Sequence, residues 1–502
     1  MKPIIQIQDF KGGMTLNEKL ASKDQFHIGK HLDFTSRKGF LTVRPGFTRM
    51  QLSSSTDVGQ PMQGIIFTQE DGNIYFGADN GTIYSQSNTG TIVSSNASSQ
   101  TGAIRGLKEY KGFMYYPQNT TIGRSDLAGS PTYTDNWQTG LTNVTSHPMH
   151  ISADNKLYFG DDRYVASWDG TTYTAQALDI QDDWEIQCLL DFGVNYLAIG
   201  ANRKASASYN SQGCKVILWS RANSTVWDDE ITIPEKTIYA MIETNGYLWI
   251  WAGSNSLSIY VIPVGSRSAT KVLTFENDNT QDYVLYTYPN AVAFKEGRIY
   301  FGLSGNTNAS GNSVPAVYSI NTVPSDIQLN IELDTTYLYS HTGLIDIKSL
   351  GIVAFTSSAN TGILYASFDN GTTENLIREN LYDSDSQFLY GTSPSSVYES
   401  VWFEAPPGKK IYMYGIGLDL LKFVTSSGTV TVGYKFDGDT DYTDLSSYST
   451  TDGVGFFKKI AREGYRLKLR IGLSGSSSAD TRPYISRLYV RGTLQDDSRI
   501  TY

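Results

Sequence analysis

The chain has 502 residues, which predicts roughly two or three domains and is long enough to bury a core. It contains 34 Tyr, 21 Phe and 46 Gly but only 18% charged residues, a composition that favours strands and turns over helices. A net charge of −10 argues against a surface that coats nucleic acid. Two cysteines exclude a disulfide framework and a thiolate zinc cluster, and no apolar run is long enough to span a membrane.

The first 50 residues are basic, whereas the rest of the chain is acidic. They hold nine Lys or Arg and four Asp or Glu, a local charge of +5, so the remainder carries −15. We predict an N-terminal arm over residues 1–55 whose cations contact the acidic surface of a neighbouring copy; the alternative is a solvated lead-in segment. The cations assigned to this contact are Lys11, Lys19, Lys23, Lys30, Arg37, Lys38 and Arg44.

A repeated strand pattern follows the arm. An apolar strand leads through a short turn, often with Gly or Asn, to an aromatic strand that usually ends on Gly, as in Ile65 to Gly77. The Asp-Gly and Asn-Gly pairs supply the positive φ values that tight hairpins require. The closing glycine recurs, with a step of about 40 to 53 residues per unit, at Gly77, Gly160, Gly200, Gly253 and Gly302.

A period of this size made of strands alone indicates a β-propeller, in which four-stranded blades stack around an axis. We place it at residues 56–385 and expect about seven blades, with six or eight as alternatives. Two stacked sandwiches are the competing fold, because strand spacing alone fits both. Beyond the propeller the strands lengthen and the period ends. We therefore predict an antiparallel β-sandwich over residues 386–502, and we predict that the chain as a whole is all-β.

No motif predicts a catalytic, cofactor or metal site. His147 and His150 are three positions apart, so in a strand their side chains point to opposite faces. Cys188 and Cys214 are expected to be buried thiols. The segment Asp437 to Asp444 has alternating carboxylates that a calcium ion could use, but it lacks the EF-hand glycine and glutamate and is more typical of a polar hairpin tip.

One turn resembles the Asp-box of sialidase-type propellers. Ser367, Asp369, Gly371 and Thr373 match its Ser, Asp, Gly and Thr positions, but Glu374 stands where that motif usually has Trp. The Asp-box is a structural turn, so the match transfers no catalytic residue. Glycan cleavage therefore stays a minor alternative.

The opening of the chain carries a second layout. Phe10-Lys11-Gly12-Gly13 is followed by Gly29 to Phe34, then by Arg37-Lys38-Gly39 and Arg44-Pro45-Gly46-Phe47. This layout resembles the start of tailed-bacteriophage virion proteins of the tail nozzle or tail-tip type, which combine a propeller with β-domains. The chain departs from them at Asp33-Phe34, where an Asn is usual.

The resemblance implies a non-enzymatic structural component of a phage tail, made in the host cytoplasm and located in the virion. Its partners would be other tail proteins and further copies of itself in a ring, through which DNA passes without specific binding. No cofactor is expected. The alternative is a receptor- or glycan-binding tail protein, and a glycan-cleaving enzyme is a further one.

Overall fold

The computed structural model is all-β in the residues that it describes, and no helix among them is long and apolar enough to cross a membrane. The described residues are 3–8, 10, 14–16, 25–33, 40–44, 46–53, 56–87, 93–97, 102–128, 131–142, 144, 146–204, 213–276, 284–306, 315–334, 344–353, 362–371, 374–379, 396–420, 429–448, 455–474 and 484–497.

Short strands occupy the N-terminal segment. They are β1 (Pro3–Gln8), β2 (Phe26–Lys30), β3 (Leu32–Asp33), β4 (Thr42–Val43), β5 (Phe47–Arg49), β6 (Gln51–Ser53) and β7 (Thr56–Asp57).

Successive antiparallel sheets of four strands follow. Blade 1 has β8 (Met62–Phe67), β9 (Ile74–Ala78), β10 (Ile83–Gln86) and β11 (Ser94–Ala97); blade 2 has β12 (Lys108–Tyr110), β13 (Phe113–Pro117), β14 (Thr121–Ser125) and β15 (Tyr133–Thr139). Blade 3 has β16 (Met149–Ile151), β17 (Leu157–Asp161), β18 (Tyr164–Trp168) and β19 (Tyr173–Asp179). Blade 4 has β20 (Trp184–Phe192), β21 (Tyr196–Arg203), β22 (Cys214–Trp219) and β23 (Asp229–Ile233).

The last blades are joined to other parts of the chain. Blade 5 has β24 (Thr237–Thr244), β25 (Tyr247–Gly253), β26 (Leu257–Pro263) and β27 (Thr270–Phe275). Blade 6 has β28 (Val292–Lys295), β29 (Arg298–Leu303), β31 (Ala316–Asn321) and β32 (Leu329–Asp334), with β30 (Gly305–Asn306) inserted before β31. Blade 7 has β33 (Leu344–Val353), β34 (Ile363–Asp369) and β35 (Glu374–Glu379), and its fourth strand is β5.

The blades form a closed propeller. The first strand of blade 7 contacts the first strand of blade 1, and Ser349 Oγ donates to the Met62 carbonyl at 2.6 Å. The Met62 amide in turn donates to Ser367 Oγ at 2.7 Å. The ring is therefore closed by side chains of blade 7 that hydrogen-bond to the backbone of blade 1.

The recurring glycine of the sequence pattern lies where two blades meet. A Cβ on Gly302 of blade 6 would stand 2.4 Å from Ile347 Cγ2 of blade 7, and one on Gly77 of blade 1 would stand 2.4 Å from Ile104 Cγ2. Gly160 is similarly placed, since a Cβ there would stand 2.8 Å from Ile186 Cγ2. The glycine thus leaves room for an apolar side chain of the next blade, which explains its period.

Tight hairpins join the first and second strands of several blades. Asn245 and Gly246 have φ values of 52° and 78°, as a two-residue turn of this kind requires. Lys111 and Gly112, with φ values of 49° and 75°, adopt the same conformation. The turns expected from the sequence are confirmed at these positions.

Carboxylates on first strands accept hydrogen bonds from the turn of the preceding blade. In blade 2, Glu109 accepts from two amides at 2.7 and 3.0 Å, and in blade 4, Asp191 accepts from one amide at 2.8 Å. Glu109 accepts from the amides of Gln69 and Glu70, Asp191 from that of Ala153, and Glu243 of blade 5 from that of Gly193. These bonds hold each turn against its neighbour.

Two sheets form the C-terminal region. Its strands are β36 (Ser396–Ser400), β37 (Phe403–Glu404), β38 (Lys409–Leu420), β39 (Thr429–Phe436), β40 (Thr443–Asp444), β41 (Gly455–Gly464), β42 (Arg466–Ser474) and β43 (Ile485–Asp496). One sheet has the order β1-β43-β38-β41. The other begins at β2 and continues through β36, β42 and β39 to β40, with β37 beside β42.

The N-terminal strands join the two regions. β1 pairs with β43, β5 pairs with β35, and β2 pairs with β36 on one side and with β32 of blade 6 on the other. A single apolar core accordingly contains Ile7 of β1, Ile331 of blade 6 and Val490 of β43. The segment predicted as an arm is, in its described strands, part of the folded body.

The inter-blade glycines generate the first prediction. Gly302→Ala forces Ile347 to move, so we expect the free energy of unfolding to fall by about 1–3 kcal/mol. Gly472→Ala is the control, because its Cβ would meet only Thr431 Cβ at 3.8 Å. Urea unfolding followed by fluorescence measures both, and equal stability of the two variants would contradict the role assigned to Gly302.

Candidate functional site

Four buried charges meet where the N-terminal segment joins blades 6 and 7; we call them the closure cluster: Arg44, Lys295, Glu332 and Glu379. Arg44 is only 3% exposed. Its guanidinium donates to Glu379 Oε1 at 2.5 Å and to Glu332 Oε2, and Lys295 Nζ donates to Glu379 Oε2 at 2.8 Å. Two cations therefore balance two carboxylates in an interior position.

Further hydrogen-bond donors contact the carboxylate oxygens of Glu332 and Glu379 in the closure cluster. Glu332 Oε1 accepts from Ser319 Oγ and, at 3.2 Å, from Asn330 Nδ2. Glu379 Oε2 also accepts from the Leu364 amide at 3.2 Å. Because these lone pairs are occupied, the buried charges escape part of the desolvation cost that an isolated ion would incur.

Burial and charge act in opposite directions on Glu379. Burial by itself raises the pKa of this carboxyl, but Arg44 and Lys295 together hold the pKa below its usual value of 4.5. Burial, together with the Glu332 charge, raises the pKa of the neighbouring Tyr300 above its ordinary value. The ionised form of Glu379 is thus stabilised by Arg44 and Lys295.

A second polar cluster, which we call the axial cluster, links the start of blade 6 to blades 1 and 2. It comprises Gln63, Asp79, Arg105, Tyr286, Tyr288, Asn290, Asp346 and Lys348. Asn290, which precedes blade 6, donates to the carbonyl of Gln63 in blade 1 at 2.6 Å and to that of Arg105, before blade 2, at 3.0 Å. Because these bonds bypass blade 7, they must cross close to the axis.

Tyrosine hydroxyls of the axial cluster surround one carboxylate. Asp346 accepts from Tyr286, from Tyr288 at 2.9 Å and from Lys348 at 2.8 Å. Burial, reinforced by Asp346, raises the pKa of both tyrosines, which therefore remain protonated donors. The arrangement suits a structural junction between blades 6 and 7.

Most cations assigned to a subunit contact fall outside the described residues: Lys11, Lys19, Lys23, Arg37 and Lys38. Lys30 is described and is the last residue of β2. Arg44 lies inside its own chain in the closure cluster, and not on a surface that a neighbouring copy could contact. For Arg44 the structure thus replaces the expected subunit contact with one inside the chain.

The two histidines near blade 3 have separate surroundings. The ring nitrogens of His147 face the carbonyl oxygens of Gly160 and Asn119 at 3.0 and 3.1 Å. His150 Nε2 instead accepts from the Asp191 amide at 3.1 Å. No group of three or more metal-ligating side chains occurs among the described residues.

The carboxylates of the Asp437 to Asp444 segment have partners within the chain. Asp437 Oδ1 accepts from the amides of Tyr465 and Arg466, both at 2.8 Å. Asp439 accepts from Arg462 at 2.9 Å and Asp444 from Arg470 at 2.7 Å. These bonds direct the carboxylates toward different donors, as in a polar hairpin tip.

The cysteines and the Asp-box turn occupy structural positions. Cys188 and Cys214 are free and lie in one apolar cluster between blades 4 and 5, and burial raises the pKa of each thiol to about 12. Asp369 Oδ1 accepts from the Gly371 amide at 2.7 Å, while Ser367 binds blade 1. Thr373 lies outside the described residues.

Sequence reasoning missed the closure cluster. Arg44 is visible in the Arg-Pro-Gly motif, but its acceptor on Glu379 is 335 residues away. Glu332 and Lys295 lie within ordinary strand patterns, and nothing in their spacing distinguishes them from surface charges. The available signal for the closure cluster is that Arg44 stands in a recognisable Arg-Pro-Gly motif.

No protein-family model matches the chain, and no curated protein does. Three solved structures are similar in fold. The computationally designed Ika8 protein is 14% identical, and the match covers 65% of this chain and 99% of that chain with a TM-score of 0.38. The Neurospora crassa Pan2 WD40 domain is 11% identical, with 67% of this chain and 95% of that chain covered and a TM-score of 0.42. A chain of the mitotic checkpoint complex is 12% identical, with 68% and 95% covered in the same order and a TM-score of 0.43. At these scores the similarity carries no functional argument.

Removal of Arg44 is the second prediction. Arg44→Ala leaves Glu332 and Glu379 buried with Lys295 alone, so we expect a loss of about 3–5 kcal/mol in the free energy of unfolding. The control is Arg470→Ala, which breaks an exposed pair with Asp444 and should cost about 0–1 kcal/mol. Urea titration measures both; comparable losses would contradict the role of the closure cluster.

The lowered pKa of Glu379 gives the third prediction. A carboxyl with a lowered folded-state pKa stabilises the fold fully above its unfolded value of 4.5, and the contribution is lost as pH falls through the folded value. Stability should therefore decrease below pH 4.5, and less steeply in Glu379→Gln. Unfolding measured across this range tests the slopes, with exposed Glu404→Gln as the control that keeps the steeper dependence.

Proposed function

We propose that this chain is a non-enzymatic structural component of a bacteriophage tail, of the nozzle, tail-tip or ring type, which assembles through subunit contacts. One observation carries the proposal. Among the opening residues that resemble such tail proteins, the described ones, such as Phe10, Gly29, Arg44 and Phe47, lie where the N-terminal segment joins the propeller and the C-terminal sheets. The motif thus coincides with the part of the molecule that ties its two regions together.

Phe10 and Gly29 support the proposal through their positions beside the C-terminal region. The ring of Phe10, only 2% exposed, packs edge-on against Tyr398 of β36 with centroids 5.4 Å apart. A Cβ on Gly29 would stand 2.3 Å from the Phe26 ring, which itself lies 5.4 Å from Tyr398. Both positions therefore hold β2 against the C-terminal sheet.

Arg44 and Phe47 support the proposal at the propeller. Phe47 is buried at the start of β5, and the Arg44 guanidinium lies 5.2 Å from its ring centroid. The pair places β5 on blade 7 while the guanidinium binds the closure cluster. The N-terminal segment thus connects blade 7 to the C-terminal sheet, a connection that suits a structural subunit.

The charge of the chain suits a ring around DNA. Residues 51–502 carry −15 while the whole chain carries −10. An acidic inner surface would repel the phosphate backbone and let DNA pass without specific binding. The partners in this proposal are further copies of the chain and other tail proteins, and its location is the virion after synthesis in the host cytoplasm.

Assembly state is the fourth prediction. Light scattering after size exclusion should give a discrete multiple of the 55.5 kDa monomer mass, and electron microscopy should show closed rings. On native particles, antibody against this chain should label the tail. The folded variant Arg470→Ala serves as a preparation control, since it leaves the N-terminal strands unchanged.

A chain that stays monomeric at high concentration, and whose antibody labels no tail, would overturn the proposal. Label on peripheral fibres alone would instead favour a receptor-binding role. Hydrolysis of a glycan, lost when one acidic residue is replaced, would point to the enzyme alternative.

A further inference from the structure

The sheet β1-β43-β38-β41 has an outer face paved with aromatic rings. Its inner face contributes Ile416, Leu418 and Val490 to the buried core. On the outer side the strands place Tyr489 opposite Gly417, and Gly417 opposite Phe457. A Cβ on Gly417 would stand 2.2 Å from Tyr489 Cζ, so this ring covers the glycine directly.

Three rings form a row across the strands. The planes of Phe457 and Tyr489 differ by 12° with centroids 6.3 Å apart, and those of Tyr414 and Phe457 differ by 26° at 6.1 Å. Tyr414 and Phe457 are half-buried, so part of each ring faces solvent. The row is therefore a set of nearly parallel, partly accessible aromatic rings.

Cations lie over this row. The Arg491 guanidinium is 5.0 Å from the Phe457 centroid and 5.5 Å from that of Tyr489, and Lys459 Nζ is 6.0 Å from the Tyr414 centroid. Arg487 also covers Tyr489 but is paired with Asp419. Among the described residues neither Arg491 nor Lys459 has a carboxylate partner, and Arg491 Nε is buried without a hydrogen bond.

The two unpaired cations define the chemistry of a ligand. A guanidinium held over aromatic rings keeps a fixed orientation and presents its outer N–H groups as a fork that matches a carboxylate. Aromatic faces beside it suit the apolar side of a sugar ring. A ligand that combines flat apolar faces with regularly spaced carboxylates meets both requirements.

We propose that this outer face, formed by Tyr414, Phe457, Lys459, Tyr489 and Arg491, binds an acidic oligosaccharide built from carboxylate-bearing sugars. Arg491 binds a sugar carboxylate, Lys459 supplies a second positive charge, and the partly exposed rings of Tyr414 and Phe457 contact the sugar faces. This binding activity is additional to a structural role and does not depend on it.

A single-stranded nucleic acid fits the face less well. Its binding rests on the neutralisation of several phosphates along a track, and only two unpaired cations lie on this row within the described part of the chain. The ring of Tyr489 is only 7% exposed and is already covered by arginines, so it is closed to a stacked base. A sugar with one carboxylate needs a single guanidinium.

Calorimetry with an oligogalacturonate of defined length tests the proposal, with a neutral glucan oligomer and oligo-dT as comparison ligands. We expect saturable binding of the oligogalacturonate alone. Arg491→Gln should weaken it about tenfold or more, since it removes a charged hydrogen-bond donor. Arg491→Lys should recover only part of the affinity, because an ammonium does not present the guanidinium fork.

Arg470→Gln, on the opposite sheet, is the matched control and should bind like the parent. Thermal unfolding of each variant verifies the fold, and Lys459→Gln gives an independent, smaller loss should Arg491→Gln unfold. Absence of oligogalacturonate binding, equal affinity for the neutral glucan, an unchanged affinity in the folded Arg491 variants, or binding of oligo-dT alone would each overturn the proposal.

Discussion

The buried pairing of Arg44 with Glu332 and Glu379 is the interaction on which the rest of the structure depends. Together with Lys295 it balances four charges in a region where an unmatched charge would be costly, and it does so only when the N-terminal segment, blade 6 and blade 7 are all in place. Blade 7 acquires its fourth strand from the same segment. Completion of blade 7 and attachment of the C-terminal sheets therefore depend on the same N-terminal segment.

Local, repeated contacts build the rest of the propeller. Glycines such as Gly302 admit an apolar side chain from the next blade, and carboxylates such as Asp191 hold the turn of the preceding one. Each contact joins only neighbours, as in other repeat architectures. The propeller thus combines many similar contacts between neighbouring blades with one specific ionic contact at Arg44. Loss of the Arg44 contact affects both the propeller and the C-terminal region.

The distinction explains what the sequence could predict. The strand pattern and Gly77, Gly160 and Gly302 are local and periodic, so the all-β propeller could be recognised from them. The partners of β2 and β5 could not, because short strands carry little pattern and pair with residues hundreds of positions away. The charge of Arg44 is expected at a surface, since sequence does not distinguish a buried cation from a solvated one. The outer row of Tyr414, Phe457 and Tyr489 likewise depends on register between distant strands.

The position of β1 also governs the order in which the molecule can fold. This strand is synthesised before every other described strand, yet its partner β43 is the last of them. Closing a loop of that length carries a large entropic cost and slows folding. Until β43 has been made, β1 must wait unpaired, and β5 must wait in the same way for blade 7, a state prone to association with other chains. Arrival of the last strand would then act as the trigger for cooperative closure.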